Sequence, residues 1–99
     1  MFCINVIKSY RDVVAICDKE LLGKKFEEGK YQLDVKENFF MGKEANEKEV
    51  IRIINDMSKE DATFNIIGKN SVNLALKVGL INKEGTKEIQ SVPFALVLL

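Results

Sequence analysis

Apolar and polar positions alternate along the beginning of the chain with the period of two that is typical of β-strands. Residues 2–7 show this alternation, residues 10–12 interrupt it, and residues 13–17 resume it. The pattern predicts a β-hairpin over residues 2–17. A tip centred on Tyr10 sets a register in which the large apolar side chains share one face. The predicted cross-strand pairs are Ile4 with Ile16, Val6 with Val14, and Cys3 with Cys17.

The segment after the hairpin predicts a short helix and then a third strand. Asp18 has the side chain of an N-cap, and Gly29 would end the helix. The apolar residues that would share one side of this helix are Leu21, Leu22 and Phe26. Residues 31–35 alternate again, which predicts a strand, and an apolar cluster at residues 39–41 follows it.

The clearest helix signal comes next in the chain. Asn46 and Glu49 have the spacing of a capping box, which marks the start of a helix. The apolar residues that follow at three-to-four spacing are Val50, Ile51, Ile54 and Met57. This spacing predicts an amphipathic helix with one buried face.

A second amphipathic segment follows a short buried strand predicted over residues 62–67. Gly68 is expected to turn the chain, and Asn70 or Ser71 is expected to cap the helix. Gly79 is expected to end it. The apolar positions of this helix are Val72, Leu74, Ala75, Leu76 and Val78.

The rest of the chain predicts two more strands. Residues 82–85 have the composition of a turn, and residues 86–90 predict a strand. The uninterrupted apolar character of residues 95–99 predicts a buried interior strand. No repeat or linker divides residues 1–99, so we expect one domain. The predicted fold class is α+β: an N-terminal β-hairpin in a mixed sheet of about four to six strands, with two main helices packed on one face.

Composition narrows the class of protein. The chain is 46% hydrophobic and 30% charged with a single proline, which is typical of a compact globular domain. Its 15 basic and 15 acidic residues cancel, so bulk charge does not favour nucleic acids or membranes. The lack of histidine excludes Ser-His-Asp and Cys-His nucleophiles and His-containing zinc sites. We expect a cytoplasmic protein with no membrane partner, cofactor, metal site or catalytic residues.

The start of the second main helix is the strongest candidate for a binding site. It contains a glycine, a lysine and two small polar residues, namely Gly68, Lys69, Asn70 and Ser71. Free amide N–H groups and the helix dipole would attract an anion there, and the lysine adds positive charge. The P-loop pattern is incomplete, and Ser71 stands where a KH-type G-x-x-G loop has its second glycine. Ordinary turn and capping chemistry is the competing interpretation.

A second candidate surface is basic and centres on Lys24 and Lys25, which follow Gly23. Three more cations would join it if the hairpin and the short helix packed side by side, namely Lys8, Arg11 and Lys30. Such a surface would contact phosphates, and its binding would weaken steeply with salt. The competing interpretation is a solvated face, because acidic residues lie among the lysines, namely Glu20, Glu27 and Glu28.

Three other groups of residues have both a chemical and a structural interpretation. Cys3 and Cys17 face each other in the predicted register and would form a redox pair, but no cation or helix start activates them, which favours reduced packing. Carboxylates near the first main helix favour capping over acid-base or magnesium chemistry. Tyr10 and Tyr31 are candidates for stacking on bases.

Three stretches of the chain resemble a known family when they are taken together. They are VVAICDKELLGKKFEEGKYQLDV, FNIIGKNSVNLALKVGLI and the closing SVPFALV. They resemble a small archaeal family catalogued as domain of unknown function 424, over about residues 2–98. The resemblance implies a compact cytoplasmic α+β protein with no assigned enzyme activity and a suspected association with translation or RNA. Its closing segment often reads G-V-P-H-A-Q, so Phe94 stands here where relatives have histidine.

Three classes of function follow. The leading hypothesis is a non-enzymatic binding module that contacts RNA or a ribonucleoprotein through residues 23–25 and 68–71. The second is a protein-protein adaptor or homodimer, without nucleic-acid contact, that uses an exposed apolar patch around Phe39, Phe40 and Met41. The third is an enzyme acting on a phosphorylated metabolite at Gly68, which lacks a recognisable general base beside the turn.

Overall fold

The computed structural model describes residues 1–98, which contain eight strands and three α-helices. The strands are β1 (Phe2–Ile7), β2 (Val13–Asp18), β3 (Lys25–Glu28), β4 (Tyr31–Asp34), β5 (Lys43–Ala45), β6 (Thr63–Ile67), β7 (Lys87–Ile89) and β8 (Val92–Val97). The helices are α1 (Glu37–Phe40), α2 (Glu47–Ser58) and α3 (Lys69–Lys77). Within this part of the chain, no helix has both the length and the apolar character needed to cross a membrane.

Six strands form one mixed sheet in the order β5-β1-β2-β6-β8-β7. β1 and β2 form the predicted hairpin in the predicted register, with Ile4 opposite Ile16 and Cys3 opposite Cys17. β2 runs parallel to β6, and β6 runs antiparallel to β8. The predicted fold class, an α+β domain with a mixed sheet and two main helices, is therefore confirmed.

The two faces of this sheet have different covers. α2 and α3 pack on one face, which we call the helix face, over a core that includes Val14, Ile16 and Phe64. The opposite face carries a second core beneath β3, β4 and α1. We call residues 25–40 the cover segment. The buried members of the second core are Cys3, Ala15, Cys17, Leu33, Val35, Phe40, Ile67 and Ile89.

The start of α2 agrees with the sequence prediction. The Asn46 side chain accepts a hydrogen bond from the Glu49 amide at 2.9 Å, which is the predicted cap. The apolar residues that α2 buries toward the sheet are Val50, Ile54 and Met57. The capping box and the periodicity therefore located this helix correctly.

The segment after β2 is not the predicted helix. Residues 19–21 form one 3-10 turn, and Phe26 lies in β3, which pairs with β4. Gly23 and Gly29 have φ angles of 83° and 61°, in the left-handed region that turns use and a right-handed helix does not contain. The helix prediction was wrong because its apolar spacing also suits a turn followed by a strand that alternates at a period of two.

The C-terminal strand β8 is interior, as predicted, because it lies between β6 and β7. It is not buried along its whole length, which corrects the prediction. Leu96 and Leu98 are 58% and 72% exposed, and neither belongs to a core. β7 pairs only with residues 92–94, so it stops short of Leu96. Leu99, the last residue of the predicted run, lies outside the described residues.

Candidate functional site

The start of α3 forms a corner where the ends of β2 and β6 meet the start of β8. Gly68 connects β6 to α3 with a φ of 115°, and its amide donates to the Pro93 carbonyl at 2.8 Å. Because β2 and β6 are parallel neighbours, the last residue of β2, Asp18, lies beside this connection. The corner therefore combines a helix start with a carboxylate from a distant part of the chain.

Asp18 occupies the position in which the sequence predicted an incoming anion. One carboxylate oxygen accepts from the Asn70 amide at 3.0 Å. The other accepts from the Ser71 amide at 2.8 Å and from the Ser71 hydroxyl at 2.7 Å. Asp18 is only 3% exposed. Two free amides of the helix start are thus satisfied by a negative charge of the chain itself.

Gly68 makes room for this carboxylate. A Cβ atom at residue 68 would lie 2.5 Å from the carboxyl carbon of Asp18, which is closer than real contacts allow. Sequence reasoning found no general base beside this turn, whereas the structure places a carboxylate there. Both oxygens of Asp18 already accept hydrogen bonds, so its observed role is to cap α3.

The four candidate residues at the corner differ in exposure. Gly68 and Ser71 are buried, whereas Lys69 and Asn70 are exposed. The other candidates, Lys24 and Lys25, are exposed where the chain enters the cover segment. The cover segment and α3 pack on opposite faces of the sheet, so the structure does not bring the two lysine groups into one layer.

The predicted surface of five cations is not formed. Lys8 and Arg11 lie at the hairpin tip, and Lys24 lies beyond the other end of β2. A strand of six residues, such as β2, is roughly 20 Å long. Lys8 also pairs with Asp12 at 3.3 Å, within the tip itself. The short helix that would have joined these cations is a turn and a strand instead.

A groove of about 550 Å³ lies between α3 and the β7–β8 turn. Lys69 and Lys83 line it together with one acidic residue, Glu88. Within residues 1–98, neither lysine has a carboxylate within 4.0 Å. The neutral polar residues in the groove are Asn73, Thr86 and Ser91. This groove is a place beside α3 where positive charge is accessible to a ligand.

The face opposite the main helices carries side chains in rows that cross the strands. The row beneath the cover segment consists of Cys3, Cys17, Ile67 and Phe94. Nearer the hairpin tip the face is only partly covered. We call that part the open half-face, and it comprises Ile7, Val13, Thr63, Asn65 and Leu96, with Leu98 just beyond β8. Its aliphatic side chains belong to neither core.

The predicted apolar patch around Phe39, Phe40 and Met41 is mostly core. Phe40 is 3% exposed, and Phe39 packs edge-to-face against it with ring centroids 5.1 Å apart. Only Met41, at 43% exposure, is open to solvent. The two phenylalanines hold the cover segment on the sheet, so the exposed aliphatic surface of this protein lies elsewhere, on the open half-face.

Cys3 and Cys17 are free thiols that are buried under the cover segment. Burial, together with the neighbouring Cys3 and Asp18, raises the pKa of Cys17 to about 12. Burial and the nearby Glu44 also raise the pKa of Cys3. Because the thiolate is the reactive form, both cysteines are inert while the cover segment is closed.

The acidic residues around α2 take part in capping and ion pairs. Lys43 pairs with Glu49 at 3.1 Å, and Lys19 pairs with Glu44 at 2.7 Å. The hydrogen bond from Lys43, and a second one from the Asn46 backbone, lower the pKa of Glu49. The part of the chain that the structure describes has no group of three side chains able to hold a metal ion. Glu44 and Glu49 thus each have a lysine partner in an ion pair.

The fold and the site together define a small α+β domain whose mixed sheet carries two helices on one face and a short hairpin cover on the other. The chain belongs to the family described as Protein of unknown function (DUF424), whose model matches residues 7–99. The predicted resemblance is therefore confirmed. Among curated proteins there is no match.

This chain is similar to a solved structure, with a TM-score of 0.85. It is described as the crystal structure of an uncharacterized conserved protein from Methanopyrus kandleri. The match covers 97% of this chain and 89% of that chain at 22% sequence identity. A likeness at this identity shows that the two proteins share a fold.

Sequence reasoning missed the role of Asp18, which it assigned to a local helix. The residue caps α3 across separations of 52 and 53 positions. One signal for this partnership was present in the sequence, because the first turn of α3 has no acidic residue of its own. A buried strand that ends in aspartate could have supplied it.

Proposed function

We propose that the protein is a non-enzymatic adaptor that binds a protein partner on the open half-face. The observation that carries the proposal is the exposure of Leu96 and Leu98 beside the half-buried Ile7 and Val13. Aliphatic side chains grouped on one exposed surface lose free energy when a partner removes them from water. Grouped exposure of this kind marks interaction sites more often than scattered exposure does.

The surroundings of the open half-face also suit an interface. Tyr10 is fully exposed at the hairpin tip, next to the strand ends that carry Ile7 and Val13. Tyrosine is enriched at the energetic centres of interfaces. Thr63 and Asn65 add hydrogen-bonding groups among the aliphatic side chains. The matching partner presents an aliphatic strand or helix with a small number of polar groups.

The corner at α3 favours this proposal over one in which RNA phosphates bind the helix start. Asp18 already satisfies the amides of Asn70 and Ser71. A phosphate approaching that position would meet a buried carboxylate of the same sign. The two amides that would bind an anion are thus already bonded to a side chain of the protein itself.

The test is recovery of cellular partners by the wild type and by a variant that carries Leu96→Glu and Leu98→Glu, with and without nuclease. We expect the wild type to retain its partners after nuclease treatment and the variant to lose them. Tyr31→Glu is the matched control, because Tyr31 is exposed in the cover segment, away from the open half-face. Partners that survive the double substitution, or that depend on nucleic acid, would contradict the proposal.

Light scattering on the purified protein tests whether the partner is a second copy of the same chain. If the partner is a second copy of the chain, the wild-type mass rises with concentration and the mass of the Leu96→Glu and Leu98→Glu variant does not. A wild-type mass that is independent of concentration assigns the open half-face to a different protein.

RNA contact in the groove beside α3 is the second candidate function. It is favoured by the accessible charges of Lys69 and Lys83, neither of which has an ion-pair partner among residues 1–98. Fluorescence anisotropy with a single-stranded RNA should show weaker binding and a smaller salt dependence when both become alanine. A control pair on α2 and at its end, Lys48→Ala with Lys59→Ala, should bind as the wild type does.

The same assay tests the basic residues that the sequence singled out. A variant in which Lys24, Lys25 and Lys69 are all alanine should lose affinity if those residues contact phosphates. Unchanged binding at high salt by this variant, together with unchanged binding by the Lys69 and Lys83 pair, would contradict RNA contact on these surfaces.

A further inference from the structure

Cys3 and Cys17 are direct cross-strand partners in the N-terminal hairpin. Directly opposed residues in an antiparallel pair have Cα atoms about 4.5 or 5.5 Å apart, within the range of roughly 4.4–6.8 Å that a disulfide requires. Both side chains point to the same face of the sheet and belong to the same buried core. Both thiols are free and fully buried. The pair therefore satisfies the backbone geometry for a disulfide without any change of register.

The cover segment is the barrier between these thiols and solvent. Leu33, Val35 and Phe40 belong to the core that encloses them. Among residues 1–98, β3 and β4 pair with each other and with no other strand, so no strand ladder joins the cover segment to the six-stranded sheet. Backbone hydrogen bonds join Val35 to Gly23 and Lys24 at the start of the cover segment. Elements that no strand ladder joins to the main sheet open at a lower free energy than strands paired on both sides.

Side-chain hydrogen bonds tie the cover segment to the rest of the chain at two points. The Asn5 side-chain amide donates to the Phe39 carbonyl at 2.9 Å. The Gln90 backbone amide donates to the Glu28 carboxylate at 2.7 Å. One substitution, at Asn5 or at Glu28, removes each hydrogen bond. The free energy of opening the cover segment can therefore be changed by mutation.

We propose that Cys3 and Cys17 form a reversible dithiol–disulfide pair, which a small disulfide such as oxidised glutathione oxidises when the cover segment opens. One cysteine thiolate attacks a glutathione sulfur, breaks the S–S bond and releases one glutathione thiolate. The second cysteine then attacks the protein-bound sulfur and displaces the second glutathione. Two electrons pass to the glutathione disulfide, and the two cysteine protons end on the two released thiols.

Reduction follows the reverse route. When the cover segment opens, a small thiolate attacks one sulfur of the pair, and a second thiolate releases the resulting mixed disulfide as free cysteine. The raised pKa of Cys17 keeps its thiol protonated in the closed state, so exchange requires opening first.

The experiment follows the oxidation of the folded protein by oxidised glutathione, with acid quenching and intact-mass analysis. We expect both thiols to disappear together with the loss of two hydrogen atoms from one chain, and a reducing agent to restore them. The closed loop holds 15 residues, counted from Cys3 to Cys17, so the oxidised form should melt about 12–24 °C higher. Cys3→Ser and Cys17→Ser should each form a mixed disulfide at most.

A matched pair of variants tests the route through the cover segment. Asn5→Ala removes one tie and should speed the oxidation about 2–10-fold, because a typical hydrogen bond contributes that much to an opening equilibrium. Asn46→Ala removes a comparable bond at the start of α2, away from the cover segment, and should leave the rate unchanged.

Three outcomes would overturn the proposal. The thiols could stay reduced until denaturant unfolds the whole chain. The oxidant could instead link separate chains. Asn46→Ala could speed oxidation as much as Asn5→Ala does, which would mean that the thiols react only after global unfolding. None of these outcomes depends on whether a partner binds the open half-face.

Discussion

The two faces of the six-stranded sheet share the same strands but are buried to very different extents. α2 and α3, with 12 and 9 residues, cover the helix face over roughly 14–18 Å, close to the length of a six-residue strand. The cover segment has two strands of 4 residues and a helix of 4 residues. It covers the row that contains Cys3 and Cys17 and leaves the open half-face exposed.

The residues that stabilise the fold and the residues available to a partner therefore lie on opposite faces of the sheet. The helix face contains the largest fully buried side chain, Phe64. The other face contains the exposed Leu96 and a cover tied down by side-chain contacts. We therefore expect substitutions on the helix face to change the free energy of unfolding, and substitutions on the open half-face to change binding.

Phe64→Ala should cause the largest loss of stability, about 3–5 kcal/mol, because it opens a cavity in the helix-face core. Leu96→Ala, in the same sheet, should cost less than about 0.5 kcal/mol because its side chain is already exposed. Urea unfolding of both variants measures the comparison. If Phe64→Ala does not fold, Ile66→Val should still cost roughly 1 kcal/mol. Equal costs at residues 64 and 96 would break the distinction between the faces.

Asp18→Ala should cost about 2–3 kcal/mol, because it leaves two amides and one hydroxyl at the buried corner without their acceptor. Ser71→Ala removes one of these bonds and should cost about 1 kcal/mol. Asp34→Ala, at an exposed position in the cover segment, is the control and should be near neutral.

Binding of inorganic phosphate gives a second test of the role of Asp18. It should raise the melting temperature of the Asp18→Ala variant and leave the wild type unchanged, because Asp18 occupies the Asn70 and Ser71 amides in the wild type and the variant frees them. A wild-type protein stabilised equally by phosphate would show that the corner is not closed.

Alkaline pH should destabilise the wild type through Cys17 under the cover segment. Its folded pKa of about 12 lies above the ordinary value of 9.0, so the unfolded chain loses this proton first as pH rises. The contribution of Cys17 is fully present below pH 9.0 and declines above it, by about 1 kcal/mol near pH 10. Cys17→Ala should show a shallower decline in urea unfolding measured from about pH 8 to 10. Parallel profiles for the two proteins would contradict a buried, protonated thiol.

Ser91→Gly should give the smallest effect, a gain of about 0.5–1 kcal/mol. Gln90 and Ser91 form the two-residue β7–β8 turn with φ angles of 51° and 65°, which strain a residue other than glycine. Thermal unfolding measures the gain. The control Ser58→Gly, at the C-terminal end of α2, should instead destabilise the protein. A neutral or destabilising Ser91→Gly would mean that the serine side chain contributes more than the strain costs.

The parts of the fold that the sequence predicted are those that local rules determine. The hairpin register follows from alternation, because a slip of one residue would expose Ile4 and Ile16. The start of α2 follows from Asn46 and Glu49, which lie within one turn of each other. Gly79 ends α3 in a left-handed conformation, with φ of 81°.

The parts that the sequence did not predict depend on distant partners. Asp18 suits a local cap as well as a remote one, and only the parallel pairing of β2 with β6 decides between them. The exposure of Leu96 depends on where β7 and the cover segment end. The residues around Leu96 in the sequence do not determine where those two elements end. The carboxylate of Asp18 at this corner was not foreseen, and binding of an outside anion by residues 68–71 stays a prediction.

The remote cap on α3 has a consequence for how a growing chain acquires its structure. Residue 18 leaves the ribosome long before residues 70 and 71, so its carboxylate stays hydrated until the last helix is synthesised. Docking of that helix then dehydrates the acid and satisfies the amides in a single step. Burial of the Asp18 carboxylate against the amides of α3 therefore waits until α3 has been synthesised.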